Sequence, residues 1–290
     1  MPSQGMFWPN NRSTAFYRNS AIQIHCAIYE AFELVSPRMA ELDAMRQWLL
    51  LQKQTQMWGN VPSTLDAVNI LLLSGSQWMS VENRTQIEWG SLPMPAAMQA
   101  EEIMGYAKYV RTDSEIVPAD ATVKIENHYE KPSWGAIYWQ YYDSIADVEA
   151  YRTEEIAIER RYYVERNGEL VAVEKTTLGV GDEVVVQLTL RTQRDMQFMT
   201  LVDSRPACFE PQEQLPQYRY SQGLWHYTVP GDAATTLYFD YLPRGVYVVE
   251  YKVYVDRVGE YQAGVATLQG YYAPQQVAHT QGAWIQVSLP

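Results

Sequence analysis

The sequence predicts an α+β multidomain chain: helices of a partial α/α toroid, then a small antiparallel β domain, then an antiparallel β-sandwich. Three observations predict it. Apolar residues recur at helical spacing up to Leu73, the period falls to two from Val81 onward, and later turn residues recur about every ten positions. The domain expectation is accordingly 1–78, 79–150 and 151–290.

The first helix is expected from Ser13 or Thr14, either a fitting N-cap, to Val35, where Ser36-Pro37 stops it. It carries two apolar stripes, Ile24/Ile28/Ala31/Val35 and Ile22/Cys26/Tyr29/Phe32. A helix apolar on two flanks is buried on both. The second is expected from Pro37 through Leu42, Met45, Trp48 and Leu49 to Met57. The third comes after the loop Trp58-Gly59-Asn60-Val61-Pro62, with Ser63 or Thr64 capping Leu65–Leu73 and Gly75 ending it. Three such helices cannot cover their own apolar surface, and helical repeats of this kind bury a core only by stacking. The opening is therefore expected to be a slice of a larger helical assembly, and the chain to be the tail of a bigger protein.

Period-two runs then predict strands at Thr85–Trp89, Gly105–Val110, Ala121–Asn127 and Ser133–Tyr142, with a helical turn over Ala96–Glu102. The polar stretch Asp147–Glu155 reads as a linker. Beyond it, Ile156–Glu165 and Leu170–Thr176 flank Asn167-Gly168, the strongest short hairpin signal in the chain. Val184–Leu190, Phe198–Asp203, Leu224–Val229, Thr235–Asp240, Val246–Val255, Gly259–Tyr271 and Trp284–Val287 complete a sandwich of about nine strands.

At 290 residues there is room for two or three domains and ample core. Aromatic content is led by 22 Tyr and 9 Trp against 6 Phe, which suits half-exposed sheets, where a large ring is buried and its polar handle stays wet. A formal charge of −12 argues against nucleic acid as a partner, since counterion release needs a positive field, and against an anionic membrane face. Residues 1–9 lack the basic start and apolar stretch of a secretory leader, which says nothing about compartment if the chain is an excised piece. No run approaches the ~20 apolar residues that span a bilayer.

Candidate chemistry is sparse. His25, His128, His226 and His279 have no metal-ligand spacing and read as independent residues. Asp143, Asp147, Glu149, Glu154 and Glu155 cluster, but on a linker rather than across a substrate, as a glycosidase requires. No Gly-x-Ser-x-Gly elbow occurs. Gly179-Val180-Gly181-Asp182 precedes a strand, not a helix, and reads as a turn. Trp134, Tyr138, Trp139, Tyr141 and Tyr142 place rings on both faces of their expected strand, which favours packing between layers or domains over a sugar platform. Cys26 and Cys208 read as small buried hydrophobes, not as a disulfide. No catalytic, cofactor or metal residue is expected.

The order of several short motifs resembles the C-terminal end of bacterial alpha-2-macroglobulins, over essentially the whole chain. Arg46-Gln47-Trp48-Leu49-Leu50-Leu51-Gln52-Lys53-Gln54 looks like that family's R-W-L-L-x-Q-R helix. Trp58-Gly59-Asn60 with Ser63-Thr64-Leu65-Asp66-Ala67 looks like its next helix entry, and Pro132–Tyr141 is similar to the strand after its toroid. Glu159-Arg160-Arg161-Tyr162-Tyr163 opens the sandwich. Asp203-Ser204-Arg205-Pro206-Ala207-Cys208-Phe209-Glu210-Pro211 resembles a family turn, with Cys208 where Gly is usual. Leu242-Pro243-Arg244-Gly245 and Tyr271-Tyr272-Ala273-Pro274 match the L-P-x-G-x-Y and M-Y-x-P segments.

The resemblance implies a thioester-type toroid, a CUB-like β domain and a terminal receptor-binding-like sandwich. It further implies a non-catalytic part of an extracytoplasmic protease trap, whose partners are proteases, through the full-length parent, and the parent's upstream domains. In that family a protease cuts a bait segment, the molecule rearranges, and a Cys–Gln thioester acylates lysines on the attacker; some bacterial members lack the thioester. The Cys-x-Glu-Gln motif is absent here, Cys208-Phe209-Glu210 being followed by Pro211 and Cys26 by Ala27-Ile28-Tyr29. The competing readings are an α/α-toroid glycoside-active enzyme with an accessory sandwich, and a surface adhesin or scaffold.

Overall fold

The structure, a computed structural model, describes residues 5–11, 20–55, 57–74, 85–90, 92–93, 99–101, 106–112, 115–128 and 135–289. It divides into two units, Met1–Leu50 with Trp58–Ile137, and Tyr138–Pro290 with Leu51–Met57. Among the described residues antiparallel sheet dominates, with three helices near the start.

Helix α1 spans Ala21–Val35, α2 Met39–Thr55 and α3 Val61–Asn69, the last continuing as a π turn over Ile70–Ser74. The expected start of α1 at Ser13 or Thr14 lies outside the described residues. Ser20 caps the described helix by accepting from the Gln23 amide at 3.2 Å. The expected cap of α3 is corrected. Asn60, not Ser63 or Thr64, accepts from the Ser63 amide at 2.9 Å, so Pro62 falls in the first turn, where its missing N–H does no harm. The Ser63 hydroxyl is buried instead against that of Ser20, 2.5 Å away. Pro37 likewise lies just before α2 rather than in it.

Ile22, Cys26 and Tyr29 of α1 pack with Leu42, Met45 and Leu49 of α2 and with Trp58, Ala67 and Ile70. This is one of the two predicted stripes. On the other, Ile24 and Ile28 are half-buried and Ala31 and Val35 are exposed. Leu34 and Val35 are 85% and 84% exposed, and Val61, Leu65 and Leu72 also face solvent. An apolar flank therefore stands open on these helices.

Five short strands come next: β1 Gln86–Trp89, β2 Leu92–Pro93, β3 Gln99–Glu101, β4 Tyr106–Lys108 and β5 Val123–Glu126. β1 lies between β2 and β5, and β3 pairs with β4. The helical turn expected over Ala96–Glu102 is corrected over its described part: the backbone of Gln99–Glu101 pairs across to Tyr106–Lys108. The strand expected over Ser133–Tyr142 is also corrected. Its first two residues lie outside the described set, and Gly135–Tyr142 is irregular and exposed, with no neighbouring strand among the described residues to take its backbone groups.

The second unit is the sandwich. Its strands are β6 Ile156–Arg166, β7 Glu169–Ala172, β8 Leu178–Gly179, β9 Glu183–Thr192, β10 Met196–Ser204, β11 Phe209–Pro211, β12 Gln217–Ser221, β13 Leu224–Pro230, β14 Ala234–Leu242, β15 Gly245–Val255, β16 Gly259–Ala263, β17 Ala266–Gly270, β18 Val277–His279 and β19 Ala283–Ser288. One sheet runs β12-β13-β14-β10-β17-β18, a second β11-β15-β9-β6-β7 and a small third β16-β19-β8. All pairs are antiparallel except β8 with β19.

Val184, Val186, Leu188 and Leu190 alternate inward on β9 and meet Leu201, Leu237, Phe239, Val249, Val253 and Leu268 in one core. Burying each such side chain contributes about 1.5–3 kcal/mol. At Asn167-Gly168 both residues have positive φ, 55° and 84°, the geometry a two-residue hairpin needs to match strand twist. The single strand expected over Gly259–Tyr271 is two, for β16 pairs with β19 while β17 pairs with β10. The strand expected over Leu170–Thr176 ends at Ala172 and gives way to a 3₁₀ turn over Val173–Lys175.

Candidate functional site

The four histidines sit apart. His25 is fully buried, its Nε2 3.1 Å from the Met45 carbonyl and its ring 4.3 Å from that of Trp48; burial lowers its pKa to about 4 against the opposing effect of that hydrogen bond. His226 is buried against Phe239, with its pKa lowered first by burial. His128 is exposed beside Glu126, and His279 stacks on Tyr151. Among the described residues, no three His, Cys, Asp or Glu side chains gather as a metal would require. Both cysteines are free and buried. Burial raises the Cys26 thiol to about 12, aided by Asp66 and Glu30, and the Cys208 thiol to about 11. Neither is a thiolate at neutral pH, so neither is poised as a nucleophile.

Of the carboxylate run, Asp143, Asp147, Glu149 and Glu154 are exposed, and Glu155 is ion-paired with Arg194 at 2.8 Å. The Gly179–Asp182 segment is a turn. Asp182 accepts from the Gly179 amide at 2.8 Å and takes both arms of Arg166, which holds its carboxyl below the usual carboxylate range. Tyr138, Trp139, Tyr141 and Tyr142 are exposed rather than packed between layers.

What the fold does bring together is the set of turn motifs on the sandwich. Arg160, on β6, is 2% exposed and lies 2.5 Å from Asp203 of β10, itself 1% exposed. Its guanidinium also donates to the Ser204 and Gly264 carbonyls, and Tyr251 of β15 donates to the other Asp203 oxygen at 2.6 Å. Burial, then the Asp203 charge, pushes the Tyr251 and Tyr162 phenols up, while desolvation works against the Arg160 charge and the Asp203 carboxylate more than offsets it. Each oxygen of Asp203 has a donor, so the group is spent on structure.

Its position explains why. Gly264 is where the chain leaves β16 in the small sheet for β17 in the large one, and a Cβ there would stand 2.6 Å from that of Ser204. Arg160 ties the two backbones at this crossing. Next along the motif, Arg205 donates to the Thr235 hydroxyl at 2.9 Å and to the Gly231 and Asp232 carbonyls.

The other two motifs are built alike. Asp195 accepts from the Arg244 amide at 2.8 Å and from the Tyr241 hydroxyl at 2.7 Å, which closes the Leu242–Gly245 turn. Phe198 has φ 55°, and its carbonyl accepts from the Tyr271 amide at 2.8 Å. Its ring meets Tyr272 edge-on at 5.3 Å, so that Tyr271 and Tyr272 project from a fixed turn. Arg160, Asp195, Phe198 and Gly264 carry these arrangements without any spacing signal in the sequence. The assembly can hold surfaces rigid; it offers no nucleophile, general base or metal.

Residues 156–275 match the sequence profile of the bacterial alpha-2-macroglobulin MG10 domain. Among curated proteins none matches the chain. Among solved structures, Salmonella alpha-2-macroglobulin reacted with methylamine is 16% identical, with a TM-score of 0.41 over 97% of this chain and 18% of that one. Trypsin-activated alpha-2-macroglobulin from Escherichia coli is 13% identical, with a TM-score of 0.46 over 93% and 19%. The native Escherichia coli protein from domain MG7 to the C-terminus is 13% identical, with a TM-score of 0.41 over 96% and 44%. The chain thus spans about 18% of the length of the first of these.

Proposed function

We propose, from a sandwich whose residues 156–275 match the MG10 domain of bacterial alpha-2-macroglobulins, that this chain is the C-terminal, non-catalytic portion of an extracytoplasmic protease-trapping inhibitor. That match is the observation that carries the reading. In it, 1–78 are the last helices of a thioester-type α/α toroid, 79–150 a CUB-like β domain and 151–290 the terminal receptor-binding-like sandwich. The open apolar flank of α1 and α3 supports the first assignment, because stacked helical repeats leave such a surface wherever a neighbour is missing. Two buried, protonated thiols and the buried, paired Arg160 and Asp203 support a part that contributes packing rather than chemistry. The partners are proteases, met through the full-length parent, and the parent's upstream domains. The sandwich packs on the thioester region at rest and moves once bait is cut. Among the described residues no helix is long and apolar enough to cross a membrane.

The test uses the full-length parent. Trypsin is added while hydrodynamic radius and covalently or sterically held protease are followed. Compaction with retained protease is expected. An unchanged radius after cleavage of a single exposed segment, with the protease free, would remove the trap reading. A Cys-x-Glu-Gln in the upstream sequence decides between a thioester trap and a purely steric one.

A further inference from the structure

The outer face of β12, β13 and β14 carries a row of rings that neither the core nor the turn motifs use. Tyr218 of β12 sits opposite Tyr227 of β13, which sits opposite Tyr238 of β14; one step along, Tyr220 is opposite Trp225. Side chains two apart on a strand share a face, and on β13 Leu224, His226 and Thr228 turn inward, so Trp225 and Tyr227 turn outward. Tyr218 and Trp225 are 67% and 63% exposed. Clustered exposed aromatic surface of this kind marks a recognition site more often than scattered single rings do.

The geometry narrows the ligand. Tyr218 and Tyr227 are inclined by 50° at 4.8 Å, and Tyr220 and Trp225 by 46° at 5.1 Å. Rings so tilted form walls, not the flat deck on which a sugar ring lies. Beside them opens a cleft of about 270 Å³, lined by Tyr218, Trp225, Tyr227, Tyr238, Tyr241 and Asp240.

Asp240 is exposed and has no hydrogen bond or ion pair among the described residues, whereas nearby Asp195 is held by Tyr241 and the Arg244 amide. The other titratable group with a charge to offer near neutrality, His226, points to the core and is kept neutral by burial. The lining therefore presents ring faces, with their negative quadrupoles, and one uncompensated carboxylate. A chain of net charge −12 adds a long-range field of the same sign.

We propose that this cleft binds an alkylammonium group, seated against the faces of Trp225, Tyr227 and Tyr238 and paired with Asp240. A rounded cation fits the cleft beside the inclined rings, against their outward faces, and its charge is met by both the quadrupoles and the carboxylate. A neutral sugar would need several in-plane polar partners, and the outward polar side-chain groups of the cleft are one carboxylate, phenol tips and the Trp225 indole N–H. Binding of this kind is independent of any protease trapping by the parent.

The experiment is a titration of the whole chain with choline, read at the Trp225 indole N–H by NMR, that signal being assigned by its loss in Trp225→Phe. The neutral isostere 3,3-dimethylbutan-1-ol and the sugar cellobiose are run in parallel. Saturable choline shifts are expected, with the alcohol roughly tenfold weaker and Asp240→Asn roughly fivefold weaker. Trp225→Ala should abolish binding. Both side chains are exposed, so an unchanged melting temperature in each variant shows that the fold is intact. Equal binding of alcohol and choline, a response to cellobiose alone, or no shift by about 100 mM choline overturns the proposal.

Discussion

Arg160 and Asp203 lie 43 residues apart in sequence and have under 3% exposure each, so both lost their water to a partner found only after folding. Desolvating two ions costs several kcal/mol apiece, and the pair is retained because its geometry is complete: two carbonyls on the cation and a phenol on the anion. Removing one partner strands the other. Arg160→Met is expected to destabilise the sandwich by about 3–5 kcal/mol, while the double replacement Arg160→Met/Asp203→Leu recovers much of that loss. Urea unfolding of the two variants, followed by near-ultraviolet circular dichroism, measures it; equal losses in single and double variants would mean the site acts through packing alone. Both residues lie in motifs the sequence singles out, but their pairing is illegible beforehand, because nothing in either motif marks its partner among 22 basic and 34 acidic side chains. The cysteines were legible for the opposite reason: each lies in an apolar run, and a lone Cys behaves there as a small hydrophobe.

At the level of elements, glycines divide by what they do. Gly168 has φ 84° and open space around its missing Cβ, so Gly168→Ala meets only backbone strain, about 1 kcal/mol. Gly264 has an ordinary backbone but lies against Ser204, and an added Cβ must push two strands apart at the sheet crossing. Gly264→Ala is expected to cost more, about 1–3 kcal/mol, and to perturb amide shifts of both β16 and β17. Thermal melts with NMR fingerprints separate the two; a smaller loss for Gly264→Ala than for Gly168→Ala would show that the crossing is loosely packed.

The same glycine shows where sequence reading stops. β6, β9 and β15 were legible because they are rich in β-branched and aromatic residues and alternate buried against exposed, β6 throughout, β9 from Val186 and β15 from Val249. No proline or charged residue marks a break at Gly264, so Gly259–Tyr271 reads as one long strand where the chain in fact changes sheets. β12 gave no contrast at all, being an edge strand exposed along most of its length. Gly135–Tyr142 misled in the other direction: aromatic residues have high strand propensity, but propensity reports fit to a half-buried pleated surface, and among the described residues no strand lies beside this stretch.

At the scale of the whole molecule, the boundary between the two units falls between Ile137 and Tyr138, inside that irregular stretch. The chain beyond it is soon tied to the sandwich. A 3₁₀ turn forms over Ile145–Asp147, the Val148 carbonyl accepts from the Gly282 amide at 3.3 Å, and Tyr151 exchanges both backbone hydrogen bonds with His279 at 2.9 Å. The polar stretch Asp147–Glu155 is thus partly fastened. The four exposed rings of Tyr138, Trp139, Tyr141 and Tyr142, by contrast, sit on backbone outside any strand or helix. A protease needs an extended, accessible segment several residues long, and exposed aromatics inside paired strands such as Tyr218 or Trp225 do not provide one without local unfolding. Brief chymotrypsin treatment of the intact chain is therefore expected to accumulate a C-terminal fragment that begins between residues 139 and 143 and keeps the β circular dichroism of the sandwich. Mass spectrometry gives the cut and a melt gives the stability of the product. A first cut within β6 to β19, or a fragment that has lost its cooperative melt, would mean that the sandwich depends on the residues before it and is no self-standing domain.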